Sequence, residues 1–237
     1  MPYSVTEQDI LSVPADAAVI CIENCMEVSE DTPSQRLAEA GGESFLSALR
    51  ERRFLSVGRA CAVSPCALPF RSVFATGAPQ WRMGEACELV VLRLCYSALY
   101  ALAREHGCRS IAMPFLSAAY YRFPQEEAVR IGLEEAGRAN IETIFLAQTP
   151  ELFRLSRKSY PKPKIVSYVG YYRDHAVFAL DNGQYARVDL RPERRDVNIR
   201  PYVEPCYYNE ADPSLPPLSE AEVSRLRRIY ESEWDLH

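Results

Sequence analysis

Residues 108–133 constrain the fold more than any other stretch, because they combine a strand, a loop and a helix. Residues 111–113 form a short apolar run of the kind expected in a buried strand. Pro124, Glu126 and Glu127 then mark a helix start, since proline and acids suit the free N–H groups and the positive dipole end there. A loop that joins a parallel strand to a helix N-terminus is a common phosphate site in α/β proteins. This loop is therefore the first candidate for a ligand site.

Strands and helices alternate along residues 1–158, which predicts a three-layer α/β/α domain. Residues 16–22 are a continuous apolar run, typical of a strand covered on both faces. Residues 88–106 carry a single apolar helical stripe, and Gly107 is suited to end that helix. The other predicted elements are a helix over 34–50 broken at Gly41 and Gly42, strands over 59–63, 72–76 and 142–148, and a helix over 125–138.

Residues 159–237 differ in composition and are predicted to form a small β-meander with a terminal helix. A stiff, basic, proline-containing segment over 160–164 separates them from the first domain. Few positions here are apolar, so we expect this region to pack on the first domain, and its tyrosines and arginines also suit a protein partner. The predicted elements are strands over 165–172, 176–180 and 185–190, a turn over 181–184, and a helix over 218–234 that begins with a capping box of Ser219 and Glu222.

Composition argues against several functional classes. With 237 residues and 48% apolar content, the chain can bury a sizeable core. It holds no apolar run of about 18 residues, so no membrane span is predicted. The N-terminus lacks the features of a signal peptide, which favours a cytoplasmic location. A net charge of −5 makes nucleic acid an improbable partner.

The eight cysteines are scattered through apolar patterns, where cysteine is usually a small buried hydrophobe. They are therefore predicted to be reduced core thiols. The chain has no CxxC pair and only three histidines, so neither a metal site nor a cofactor is predicted.

Four stretches along residues 5–157 carry a family resemblance when they are taken together. They are Gln8-Asp9-Ile10 with residues 16–20 (DAAVI), residues 57–60 (VGRA) with Leu68-Pro69, residues 73–81 ending in GAPQW, and residues 110–114 (SIAMP) with the loop 117–124. In this order and at these distances they resemble the macro domain, the fold that binds ADP-ribose and related nucleotides.

The resemblance implies binding of ADP-ribose or a related adenosine diphosphate metabolite. It places Asp9 near the adenine amino group and the loop 117–123 around the phosphates. Asn24 would lie near the distal ribose, as the catalytic candidate of a possible ADP-ribosyl hydrolase, although an ungapped alignment puts Glu23 there. The site residues implied by the resemblance are Asp9, Ile10, Asn24, Ser117, Ala118, Ala119, Tyr120, Tyr121, Arg122 and Phe123.

Several of these residues also have a simpler interpretation. Asp9 can cap a nearby turn or helix instead of reading a base. Arg122 can bond a phosphate or point into solvent. Tyr120, Tyr121 and Phe123 can stack on a ribose or base, or can pack the loop against the domain.

The first loop departs from the family pattern. Residues 25–36 (CMEVSEDTPSQR) stand where the family has a triple-glycine loop, and they hold no glycine but three acids, Glu27, Glu30 and Asp31. Carboxylates near a diphosphate oppose its binding, so we expect weak or altered binding and weak or absent hydrolase activity. The alternative is a macro-derived protein-interaction module with a decayed cleft.

Overall fold

The structure is a computed structural model that describes residues 3–23, 26–82, 88–119, 122–158, 164–172, 175–181, 185–189, 203–206 and 218–232. The chain divides into two compact units, Met1–Ser159 and Tyr160–His237. Among the described residues, no helix has the length and apolar content that a bilayer span needs.

The first unit alternates strands and helices around one six-stranded sheet. Its sheet order is β1-β6-β5-β2-β4-β3, with every neighbouring pair parallel except β3 and β4. The α/β fold predicted from the sequence is confirmed. The elements are β1 (Tyr3–Thr6), a 3₁₀ turn (Ile10–Ser12), β2 (Ala17–Cys21), α1 (Thr32–Arg50), β3 (Ala60–Val63), β4 (Ser72–Thr76), α2 (Glu88–Glu105), β5 (Ser110–Pro114), α3 (Gln125–Ala139), β6 (Glu142–Leu146) and α4 (Pro150–Ser156).

Helices cover both faces of this sheet. On one face, α1 buries Leu37, Phe45 and Leu49 against β2 and β4. On the other face, Tyr96 of α2 packs edge-on against Phe145 of β6, with ring centroids 6.3 Å apart. Residues of β2 and β4 are buried on both faces, which accounts for their continuous apolar runs.

Two glycines take the backbone conformations that the sequence predicted. Gly42 interrupts α1 with a φ of 61° and a ψ of −163°, so the helix is kinked where the sequence predicted a break. Gly107 follows α2 with a φ of 64°, a conformation that L side chains rarely adopt.

A network of ion pairs ties α2 to α3. Arg93 of α2 bonds Glu134 at 2.6 Å and Glu135 at 2.7 Å, and Arg130 bonds Glu127 at 2.6 Å and Glu134 at 2.5 Å. These side chains are mostly buried, and each charge has a partner of opposite sign, as buried charges require. The network fixes the position of α3, whose N-terminus receives the loop that follows β5.

The second unit contains an antiparallel sheet in the order β10-β9-β8-β7 and one helix. Leu226 and Tyr230 of the helix are buried in a cluster with Phe178 and Val188 of the sheet. The apolar stripe of the helix therefore has a partner within its own unit, whereas packing of this unit on the first stays a prediction. The elements are β7 (Ile165–Tyr172), β8 (His175–Leu180), β9 (Tyr185–Asp189), β10 (Val203–Cys206) and α5 (Glu220–Ser232).

Candidate functional site

The candidate site lies where β2 and β5 end side by side. From β2 the chain passes to β3 and β4 on one side, whereas from β5 it passes to β6 on the other. Ligands of open α/β sheets bind at such a switch point, beyond the carboxyl ends of the strands. A small recess, partly open to solvent, is found here. We call it the Asp31 recess, and it is lined by Cys21, Ser29, Asp31, Pro114, Phe115, Ser117, Ala119 and Gln148.

The N-terminus of α1, beside the recess, uses its own side chains to satisfy its first N–H groups. Asp31 is the N-cap, and its Oδ1 accepts a hydrogen bond from the Ser34 N–H at 2.9 Å. Gln148 Oε1 accepts from the Thr32 N–H at 3.3 Å, and Pro33 has no N–H to offer. None of the first three residues of α1 therefore has a free N–H group that could donate a hydrogen bond to an anion.

Asp31 is the buried charged group of the recess, since the residue is only 7% exposed. Its second oxygen, Oδ2, has no hydrogen-bond partner among the residues that the structure describes. Burial raises the pKa of the Asp31 carboxyl, and nearby Ser34, Ser29 and Cys21 partly oppose that rise. The pKa of the Cys21 thiol is raised well above its ordinary value, mainly by burial and secondly by the charge of the neighbouring Asp31. This cysteine is therefore not an activated nucleophile.

The loop after β5 forms the opposite wall and is held by hydrogen bonds to other parts of the domain. The Leu116 N–H donates to Tyr96 Oη at 3.0 Å, and Ser117 Oγ donates to the Pro79 carbonyl at 2.8 Å. Ser117 has a φ of 63° and Arg122 has a φ of 53°. The left-handed conformation costs a side-chain-bearing residue about 1 kcal/mol or more. The loop thus keeps backbone conformations that glycine would adopt freely.

The N-terminus of α3 differs from that of α1 in having no side-chain cap. Pro124 occupies the N-cap position and makes no side-chain hydrogen bond. Both acids of the first turn are paired with cations, Glu126 with Lys158 and Glu127 with Arg130. Because these charges are compensated, the positive end of the helix dipole is the part of the site best suited to an anion.

The structure places three of the predicted site residues as follows. Asp9 caps the 3₁₀ turn through a bond from the Leu11 N–H at 2.9 Å, and its other oxygen pairs with Arg36 Nε at 2.7 Å. Ile10 is 1% exposed and belongs to the core. Phe123 is buried and packs edge-on against Trp81, with centroids 5.0 Å apart. The capping and packing interpretations of Asp9 and Phe123 are therefore observed.

The remaining predicted residues have different positions. Ser117 and Ala119 line the recess, and Ala118 is buried behind them with its N–H bonded to the Phe115 carbonyl at 3.2 Å. Arg122 is exposed. Asn24, Tyr120 and Tyr121 lie outside the described residues.

Sequence reasoning missed Gln148 and Ser29 as lining residues, and it treated Asp31 only as an unfavourable charge. Asp31 precedes Thr32 and Pro33, an order typical of an N-cap followed by the first helical turn. Its capping role could therefore have been predicted from the sequence. Gln148 is the last residue of a predicted strand, at the edge where ligands bind in α/β sheets.

Comparison with known proteins identifies the protein family that this chain resembles in sequence and fold. A sequence model of the Macro domain matches residues 23–132. A macro domain-containing protein of Chlorobaculum tepidum is 32% identical over 125 residues, which cover 53% of this chain and 72% of that protein.

Two solved structures have a similar fold. The Oceanobacillus iheyensis macrodomain with ADP has a TM-score of 0.60 at 18% identity, covering 65% of this chain and 87% of that one. The Trypanosoma brucei macrodomain in complex with ADP-ribose has a TM-score of 0.57 at 21% identity, covering 65% and 67%. Relatives of this fold thus bind ADP or ADP-ribose in their structures.

Proposed function

Because the chain belongs to the macro domain family, we propose that its cleft binds ADP-ribose or a related adenosine diphosphate compound. The observation that carries this proposal is the junction between the loop after β5 and α3. The loop leaves the sheet at the switch point and leads into a helix whose N-cap residue makes no side-chain hydrogen bond. Backbone donors and the helix dipole both favour a phosphate at such a junction.

The charges around this junction support a diphosphate there. Arg122 is exposed at the end of the loop and supplies a guanidinium that can bond phosphate oxygens. Glu126 and Glu127 of the first turn are engaged by Lys158 and Arg130, which reduces their repulsion of an anion. The diphosphate would therefore lie on the α3 side of the cleft.

Hydrolysis of ADP-ribosyl bonds is expected to be weak or absent. The first N–H groups of α1 bond Asp31 and Gln148, so they are not available to position the distal end of a substrate. An error of about 1 Å in the reacting geometry can cost roughly a hundredfold in rate. Release of ADP-ribose from a modified protein should therefore be slow, and rapid release that Asn24→Ala abolishes would contradict this expectation.

Titration calorimetry of the full chain with ADP-ribose, NAD and AMP tests binding directly. We expect heat with ADP-ribose and a weaker response with AMP, which lacks the second phosphate. The informative variant is Ala119→Asp, which adds a carboxylate on the exposed edge of the loop. At an effective dielectric constant near that of a protein surface, a charge about 4 Å from a phosphate changes the interaction energy by up to about 4 kcal/mol, so affinity should fall at least tenfold.

Ala101→Asp is the matched control, because Ala101 is also an exposed alanine. It lies in the last turns of α2, just before β5 begins, and hence near the opposite edge of the sheet. It should leave ADP-ribose affinity nearly unchanged. The proposal fails if none of the three ligands gives heat at high micromolar protein, or if both variants weaken binding equally.

A further inference from the structure

The outward side of α2 is uncharged, whereas the outward side of α1 exposes charges such as Arg36 and Glu43. Between Glu88 and Arg104 the single charged side chain of α2 is Arg93, and two glutamates of α3 bind it. A helix that is apolar on both sides is normally covered on both. We call the outward surface the α2 outer face, and it consists of the partly or fully exposed residues Val90, Val91, Leu94, Ser97, Ala98 and Ala101.

The loop between α1 and β3 extends this face. An ideal Cβ at Gly58 would lie 3.3 Å from Val91 Cγ1 and 3.8 Å from Leu94 Cβ, so the loop packs closely on α2 at this point. Val57, the residue before Gly58, is 41% exposed, and Leu94 is 40% exposed. Contiguous apolar surface of this kind marks an interaction site.

We propose that the α2 outer face binds the same face of a second copy of this chain, with the two α2 helices antiparallel about a two-fold axis. This inference goes beyond the proposed function, because no residue of the face belongs to either wall of the cleft. Helices approach most closely where their side chains are smallest, so the axis passes between Ser97 and Ala98. Leu94 of each copy then lies opposite Ala101 of the other, a large side chain against a small one.

Charges at the ends of the face favour a second copy as the occupant. In the antiparallel arrangement Glu105, one turn beyond the apolar stripe, lies opposite Val91 of the other copy. Gly58 packs on Val91, so Arg59, the next residue, would lie near that glutamate. Both Glu105 and Arg59 are exposed, and neither forms an ion pair with another residue that the structure describes. Each copy thus offers a cation where the other offers an anion, and the two-fold axis makes two such pairs.

Other arrangements match these charges less well. A parallel pair of helices would bring the Arg59 side chains of both copies to the same end, where they repel. An unrelated protein would have to supply its own acid for Arg59, whereas this chain already carries one on the same helical stripe as Leu94. Arg104 does not oppose the pairing, since its Nη1 donates to the Ala139 carbonyl of α3 at 3.4 Å.

The expected dimer is reversible. The α2 outer face spans about three turns, roughly 20 Å by 10 Å, which is less than the approximately 800 Å² that each partner of a stable complex buries. The dissociation constant should therefore lie in the micromolar range, and the dimer should form with rising protein concentration.

Sedimentation velocity of the full chain, from low to several hundred micromolar, tests the proposal. Leu94→Glu would bury an unpaired carboxylate between the helices, so the dissociation constant should rise at least about tenfold. Ala101→Asp, the variant expected to leave ADP-ribose affinity unchanged, should dissociate the dimer for the same reason. Val166→Glu is the matched control, because Val166 is 63% exposed and belongs to β7 of the second unit. It should leave the dissociation constant unchanged.

Charge reversal tests the antiparallel pairing. Arg59→Glu alone or Glu105→Arg alone should raise the dissociation constant about threefold or more, because each creates like-charged pairs. The double variant restores opposite charges and should return to within about twofold of wild type. Melting temperatures establish that all variants are folded.

A wild-type chain that stays monomeric at several hundred micromolar overturns the proposal. A dimer that both Leu94→Glu and Ala101→Asp leave intact also overturns it, because another surface would then join the copies. A double charge reversal that binds as weakly as the single variants overturns the antiparallel arrangement.

Discussion

Replacing Gly132 by alanine should destabilise the first unit, although the same change in an exposed helix is usually stabilising. An ideal Cβ at Gly132 would lie 2.8 Å from Tyr96 Oη, 3.2 Å from Phe115 Cδ1 and 3.3 Å from Tyr96 Cζ. The Tyr96 hydroxyl cannot simply move away, because it accepts the Leu116 N–H at the start of the loop that lines the site. Overpacking of this kind costs roughly 1–3 kcal/mol.

The net effect is smaller than that cost, because alanine favours a helix over glycine by about 1 kcal/mol. We therefore expect Gly132→Ala to lower the free energy of unfolding by up to about 2 kcal/mol. Gly137 is the matched control, since it lies in the same helix and has no atom within 4 Å of an added Cβ. Gly137→Ala should raise the free energy of unfolding by about 0.5–1 kcal/mol.

A double-mutant cycle with Tyr96→Phe tests the stated cause. Phenylalanine leaves the buried Leu116 N–H unsatisfied, which should cost about 1–3 kcal/mol by itself. It also removes the atom closest to the new methyl group, so the double variant should be more stable than the two single effects predict, by about 0.5 kcal/mol or more. Urea denaturation followed by fluorescence of Trp81, in chains with Trp234 replaced, gives these values. The reasoning is refuted if Gly132→Ala stabilises the chain as much as Gly137→Ala does, or if the cycle shows no coupling.

Three further predictions concern the loop, pH and the second unit. Arg122→Gly should raise the free energy of unfolding by about 1 kcal/mol in urea denaturation, because its φ of 53° is strained for arginine, and Arg122→Ala should bring no such gain. The backbone N–H of Arg109 lowers the pKa of Asp16, so this carboxyl stabilises the fold above its ordinary pKa of 3.8 and ceases to do so as pH falls through the lowered value. The stability lost in Asp16→Ala should accordingly shrink as pH falls below about 4, and a pH-independent loss would contradict this. Ser219→Ala should speed hydrogen exchange in α5, because Ser219 Oγ accepts the Glu222 N–H, and Ser219→Asn should preserve the protection.

The sequence predicted most of the sheet and the long helices because their signals are local. The apolar stripe of residues 88–106 gave α2 to within one residue, and the capping box of Ser219 and Glu222 forms as predicted. Strands β1 and β10 and helix α4 were not predicted. Each has seven residues or fewer, so periodicity is weak, although Thr149 before Pro150 is a cap signal that could have revealed α4.

The site was less predictable, because the roles of its residues depend on neighbours distant in the chain. Asp9 has the residue type that the family resemblance requires, yet its oxygens serve the Leu11 N–H and the Arg36 guanidinium in the structure. The N-terminus of α1, which Asp31 caps, also bonds Gln148, a residue more than a hundred positions away in the chain. No local pattern carries that information.

The most direct test of ligand binding in the cleft is an NMR titration of the isotope-labelled full chain with ADP-ribose. We predict shifts in the amide signals of residues 26–34, 115–119, 122 and 123, which lie in the two walls, and much smaller changes in the described residues of the second unit. Shifts confined to the second unit, or unchanged signals in both walls at saturating ligand, would contradict this prediction.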